Sequence, residues 1–238
     1  MQEYKSLSKH PRVQNNQLNR RAIVIGATGA TGRQLINQLL ADSNWDKITS
    51  IGRNPFSNFK NNKKFHDIVI NSLNDLESTY NLWNGHDVFF NCIGTTRKRA
   101  GSAKKFIEIE SEYSFVAAKL ASNAGISHAS IISAMGANPN QWANDWIHPL
   151  LYIRTMGVKE NSLLNNYFDT ISIFRPGMLI RSADRISFLD KLLIKYNIAL
   201  RVDLLASAMI RDAKYKSNNS NVVYIGNKCI KTSIELKY

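Results

Sequence analysis

The run Arg21-Ala22-Ile23-Val24-Ile25-Gly26-Ala27-Thr28-Gly29-Ala30-Thr31-Gly32-Arg33 decides the fold. Its apolar part, Ala22 to Ile25, has the length of a buried strand. Three glycines follow at G-x-x-G-x-x-G spacing, and then Leu35, Ile36, Leu39 and Leu40 recur as one helix face does. A strand, a tight turn and a helix in that order present backbone N–H groups and the positive end of a helix to a phosphate. Gly26 is read as the turn, Gly29 as the point where a pyrophosphate nears the backbone, and Gly32 as the contact between helix and strand. Thr28, Ala30, Thr31 and Arg33 complete this expected cradle for a dinucleotide.

The next strand indicates which dinucleotide. Ile48 to Ile51 leads into Gly52-Arg53-Asn54-Pro55, where a site for NAD would place an acid to accept hydrogen bonds from the adenosine ribose. Arg53 stands there instead. Its guanidinium suits a 2′-phosphate, and Arg33 can close over the same group, so NADPH is expected over NADH. The competing reading of Arg53 is one more solvated base in a basic chain.

Composition bounds the remaining classes. A chain of 238 residues with 44% hydrophobic content can bury one large core. No stretch approaches the roughly 18 apolar residues of a membrane span. Cys92 and Cys229 are the two cysteines, which supports neither a disulfide framework nor a zinc site and points to a reducing compartment. The 31 basic against 18 acidic side chains give a net charge of +13. They are scattered among asparagines, densely only at Arg97-Lys98-Arg99 and Lys104-Lys105, without a recognition helix or interleaved aromatics, so direct nucleic-acid binding is not expected. Residues 1–20 read as a loose polar arm. The expected location is cytoplasmic, with mitochondrial association, the arm acting as a presequence, as the alternative.

Strands expected near His66–Ile70, Asp87–Ile93, His128–Ile132 and Thr170–Phe174 alternate with helices near Leu73–Trp83, Ala103–Asn123 and Pro149–Asn166. That rhythm predicts an α/β fold with a doubly wound parallel sheet, whose ligands sit at the carboxyl ends of the strands. Asn71, the run Cys92-Ile93-Gly94-Thr95-Thr96, and Pro176-Gly177 fall at such ends. Asn71, Cys92, Gly94, Thr95, Thr96, Pro176 and Gly177 therefore join the expected cofactor-binding set. Residues 21–238 are read as a single dinucleotide-binding domain. Within it, residues 178–238, with helices near Arg185–Tyr196 and Asp203–Lys216 and a strand at Val222–Ile225, are read as a small lobe over the cleft.

Several of these stretches together resemble one family. Gly-Ala-Thr-Gly-Ala-Thr-Gly-Arg from Gly26, Ile-Gly-Arg from Ile51, Cys-Ile-Gly-Thr-Thr-Arg from Cys92, Met-Gly-Ala-Asn-Pro-Asn from Met135 and Phe-Arg-Pro-Gly from Phe174 are similar to the Tat-interacting oxidoreductase family. Its members are atypical short-chain dehydrogenase/reductases that bind NADPH in a Rossmann-like fold. The resemblance implies a Ser-Ser pair after the fifth strand and a Tyr-x-x-x-Lys-Gly motif on the next helix. The tyrosine exchanges the proton, the lysine lowers its pKa and holds the nicotinamide ribose, and the serine orients the substrate oxygen. Here the pair reads Ser133-Ala134 and the motif Tyr152-Ile153-Arg154-Thr155-Met156-Gly157.

Ser133 and Tyr152 are thus the candidate catalytic residues, and Met156 occupies the lysine position. A thioether neither lowers a phenol pKa nor donates to a ribose. Lys159, about 10 Å farther along the helix than Tyr152, is read as solvated, with a reach back toward Tyr152 as the alternative, His148 as a capping or surface residue, and Trp142 and Trp146 as either a roof or plain packing. Two functions remain open. One is an NADPH-dependent oxidoreductase acting on an unidentified carbonyl or alcohol. The other is a non-catalytic NADPH-dependent regulatory or assembly protein with a protein partner.

Overall fold

A computed structural model describes residues 19–56, 59, 61–181, 187–215 and 220–235. Residues 1–18 of the expected arm lie outside that set, and Arg20 already belongs to the first strand. The main sheet uses β1 (Arg20–Ile25), β2 (Trp45–Gly52), β3 (Phe65–Val69), β4 (Val88–Asn91), β5 (His128–Ile132), β6 (Thr170–Arg175) and β9 (Val222–Ile225). Their order across the sheet is β3-β2-β1-β4-β5-β6-β9, and every pairing is parallel. Between them run α1 (Ala30–Ala41), a 3₁₀ segment (Leu73–Trp83), α2 (Arg97–Ala100), α3 (Ala103–Ile107), a π-helical turn (Glu108–Glu112), α4 (Tyr113–Asn123) and α5 (His148–Leu164). The C-terminal part adds β7 (Met178–Ile180), α6 (Phe188–Lys195), β8 (Ala199–Arg201), α7 (Val202–Tyr215) and α8 (Gly226–Glu235).

Successive residues of a strand face opposite sides of a sheet, and both sides here are buried. Ala22 and Val24 of β1 join Leu35, Leu39 and Met209 in one core cluster, while Ile23 and Ile25 join Leu76, Trp83 and Ala117 in the other. Helices α1 and α7 cover the first face; the 3₁₀ segment and α4 cover the second. From β1 the chain moves outward to β2 and β3, then returns to β4 on the other side of β1. The loops leaving β1 and β4 therefore part, and a crevice opens at their carboxyl ends.

Two expectations change. Val222–Ile225, expected in the small lobe, is the seventh strand of the main sheet, because its backbone extends the ladder beside β6 from Ser172 to Arg175. What pairs separately is β7 with β8. The expected helix Ala103–Asn123 is three segments, interrupted at the π-helical turn, where Glu110 is buried. The basic run Arg97-Lys98-Arg99 lies on the short helix α2, capped by the Thr96 hydroxyl, which accepts from Arg99 N at 3.3 Å.

Candidate functional site

The crevice begins at the glycine turn. Gly26 has φ of +75°, and a Cβ there would lie 2.5 Å from the Cys92 carbonyl group. A Cβ on Gly32 would lie 2.2 Å from the Gly26 carbonyl oxygen. The fold itself demands those two glycines. Gly29 differs: its backbone, φ −70° and ψ 168°, suits any residue. A Cβ there would approach the Gly26 oxygen at 3.2 Å and otherwise stand in the crevice. Gly29 is also the N-cap of α1, without a side-chain cap and without an acid in the first turn, so the helix presents uncapped N–H groups.

Two cavities share the strip Gly29, Ala30 and Cys92–Thr95, together with Arg99. The larger, about 440 Å³, reaches Thr28, Gly52, Arg53 and Asn54 at the end of β2. The smaller, about 160 Å³, reaches Thr31, Ser133, Tyr152, Met156 and Lys159. Arg53 is exposed at the larger one. Arg33 lies outside that lining; its Nε donates to Thr28 O at 2.9 Å, and its guanidinium is 5.9 Å from the Phe56 ring centroid. A carboxylate near the β2 end, missed in the sequence, is Asp67 of β3. It accepts from the Ser50 hydroxyl and, at 2.6 Å, from Phe56 N, so it closes the turn that carries Arg53. Two members of the basic cluster, Arg99 and Lys105, also line the larger cavity.

Six expected residues line neither cavity: Gly32, Arg33, Asn71, Thr96, Pro176 and Gly177. Asn71 is exposed beyond β3, and neither it nor Thr96, the α2 cap, lines either cavity. Pro176 O accepts from Met135 N at 2.9 Å, and Gly177 N donates to Asn227 Oδ1 at 2.9 Å. Both anchor the turn between β6 and β7. Cys92 does line the strip, and burial pushes its thiol up to about 12 against the opposing pull of Lys159, so it stays a neutral thiol at pH 7.

The smaller cavity is walled by α5, which opens with Pro149 in its first turn. Tyr152, Met156 and Lys159 follow at four and three residues on one face. The Tyr152 ring packs 6.1 Å from Phe106 and 6.3 Å from His148. His148 thus belongs to a ring cluster rather than to the solvent. Burial first, then the Glu110 carboxylate, hold the Tyr152 phenol above its ordinary value, with Arg181 pulling the other way. Ser133 Oγ donates to Glu160 Oε1 at 2.5 Å, and Arg175 grips both oxygens of Glu160, at 2.7 and 2.5 Å. Trp142 and Trp146 are exposed and line neither cavity.

Lys159 overturns its sequence reading. It is 1% exposed rather than solvated. Its Nζ donates to Ile93 O at 2.6 Å and to Glu110 Oε2 at 3.0 Å. Glu110 Oε1 accepts from Thr95 N at 2.6 Å. A buried charge survives when paired and hydrogen-bonded, and here both conditions are met. Neither Glu110 nor Glu160 was anticipated; no local motif marks them.

Comparison with known proteins fits this geometry. A family model described as NAD(P)H-binding matches residues 26–188. The HTATIP2 protein of Rattus norvegicus is 31% identical over 169 residues, covering 68% of this chain and 64% of that protein, so the match spans just under two thirds of its length. A protein of Scheffersomyces stipitis named FMP52-2, mitochondrial, is 31% identical over 172 residues, covering 69% of this chain and 68% of that one. In fold, a UDP-N-acetylglucosamine 4-epimerase of Methanobrevibacter ruminantium, solved with UDP-N-acetylmuramic acid, superposes with a TM-score of 0.63 at 16% identity, over 90% of this chain and 81% of that one. With its glycine cradle, its sheet order and these relatives, the chain belongs to the NAD(P)H-binding family of Rossmann-like folds and is a homologue of HTATIP2.

Proposed function

We propose that the protein binds NADPH in preference to NADH and reduces the carbonyl of a small substrate, with Tyr152 giving the proton. One observation carries this reading: the strip Gly29, Ala30 and Cys92–Thr95 borders both the cavity that holds Arg53 and the cavity that holds Ser133 and Tyr152. The cradle suits a dinucleotide, since Gly29 is required by the crevice rather than by the backbone. NADPH supplies the hydride when bound. The uncapped turn of α1 binds the pyrophosphate, and Arg53 with Arg33 binds the 2′-phosphate.

A phenol held above its ordinary pKa stays protonated at neutral pH, which suits donation to a carbonyl rather than removal of a proton from an alcohol. Ser133, its proton committed to Glu160, accepts from the nascent hydroxyl and orients it. Met156, buried where the resemblance expects lysine, favours a second reading: the nucleotide is a ligand that orders a surface for a protein partner. The proposed location is the cytoplasm, with mitochondrial association, as in the name of the S. stipitis relative, the alternative that cell fractionation checks.

The test is titration with NADPH and NADH, followed by NADPH consumption with a panel of quinones and aldehydes. Preference for NADPH with turnover supports reduction. Binding without turnover of any carbonyl favours the second reading, and equal affinities for the two nucleotides contradict the Arg53 assignment.

A further inference from the structure

In the reading above the buried ion pair Lys159–Glu110 enters only through the effect of Glu110 on Tyr152, yet it lies against the strip shared by the two cavities. Three hydrogen bonds link it back to one loop: Ile93 O accepts from Lys159, Lys159 donates to Glu110, and Glu110 accepts from Thr95 N. Three distant elements meet there, the loop after β4, the π-helical turn and the middle of α5. The π-helical turn is what brings Glu110 inward; such widened turns recur at functional sites. A pair wholly enclosed in protein would serve only to hold these elements together. This one is 1–2% exposed, but both residues still line the smaller cavity with Ser133, Tyr152 and Met156.

Resting on the NADPH reading, we infer that Lys159 is the cation this chain directs at the nicotinamide-ribose end of the dinucleotide, in place of Met156. An ammonium has three donors. Ile93 O and Glu110 take two and fix the head group, which leaves the third for a hydroxyl ligand entering the cavity. The residue comes from the same face of α5 as Met156, one turn onward, and its four-carbon stem returns the charge to the end of β4. Glu110 pairs with the ammonium in a buried place and aims it, so it is a positioning residue.

The experiment measures affinity for two ligands: NADPH, and 2′,5′-ADP, which has the adenosine half and no nicotinamide ribose. The variant is Glu110→Gln with Lys159→Gln, which removes both charges while its amides can still bridge Ile93 O and Thr95 N. Loss of one charged contact should weaken NADPH about tenfold or more and leave 2′,5′-ADP and the melting temperature unchanged. Adding Met156→Lys to that variant should restore NADPH affinity. Lys159→Arg, which keeps the charge against Glu110, is the second variant if the neutral pair fails to fold; it should shift the ratio of the two affinities without shifting 2′,5′-ADP alone.

Equal losses for both ligands with a lowered melting temperature, or no loss for either, would overturn the inference and leave the pair a structural staple. If the wild-type protein binds NADPH but the ratio never moves, Lys159 alone is misassigned. If the wild type binds neither ligand, the NADPH reading fails, and the inference with it.

Discussion

The glycine end of the cleft is made largely from backbone and the Tyr152 end from side chains. At the first, Gly26, Gly29 and Gly32 sit within one turn and helix start, and their spacing alone defines the cradle. At the second, Ser133 from the end of β5, Glu160 from α5 and Arg175 from β6 form one hydrogen-bonded set, Lys159 from α5 and Glu110 from the π-helical turn form another, and Tyr152 of α5 lines the same cavity. A cradle of glycines has little to vary without losing the ligand or the fold. The side-chain end instead depends on residues far apart in sequence, with Met156 and Lys159 on one face of α5.

The largest expected effect separates ligand from fold at the nucleotide end. Gly29→Val places a branched side chain in the crevice at a position whose φ and ψ accept it. NADPH binding should be lost, at least 100-fold or about 2.7 kcal/mol, with little change in melting temperature; calorimetry and thermal scanning read both. Gly32→Val, forced against the Gly26 carbonyl, should lower the melting temperature severely instead. Retained affinity in Gly29→Val would show that the cradle is misassigned.

At the other end, Tyr152→Phe removes the proton donor while its ring can keep the Phe106 and His148 contacts. The expected loss is about 10²–10⁴-fold in carbonyl reduction, with NADPH affinity unchanged. Unaltered turnover would move the chemistry to another group. Arg53→Ala should weaken NADPH by about 1.5–3 kcal/mol, leave NADH alone, and so erase the preference, as paired titrations would register.

The smallest effect concerns pH. Because burial and Glu110 raise the Tyr152 pKa, the donor remains protonated throughout the neutral range. Reduction should therefore show no alkaline limb until above about pH 10. A limb near pH 7 that vanishes in Tyr152→Phe would mean that nucleotide binding reverses the local electrostatics.

The same contrast explains what could be read beforehand. The strand-glycine turn-helix start and the parallel sheet were legible because each depends on residues close in sequence and on strand and helix periodicity. Lys159 was not, since its partners Ile93 and Glu110 lie 66 and 49 positions away. A lone lysine on an amphipathic helix reads as solvated until those partners are known. Asp67 was missed for a like reason: the acid near Arg53 arrives from the neighbouring strand rather than from the end of β2. Pro176 and Gly177 stood at a strand end, as cofactor contacts do, but Asn227 from α8 ties that turn down instead.

The central claim is that both ends serve one bound dinucleotide, and a crystal structure with NADP⁺ tests it most directly. The account predicts the 2′-phosphate on Arg53, the pyrophosphate at Gly29, and the nicotinamide in the cavity beside Lys159, with room for one carbonyl between its C4 and Tyr152 Oη. A nicotinamide directed away from Tyr152, with that cavity left to Met156 and solvent, would contradict it.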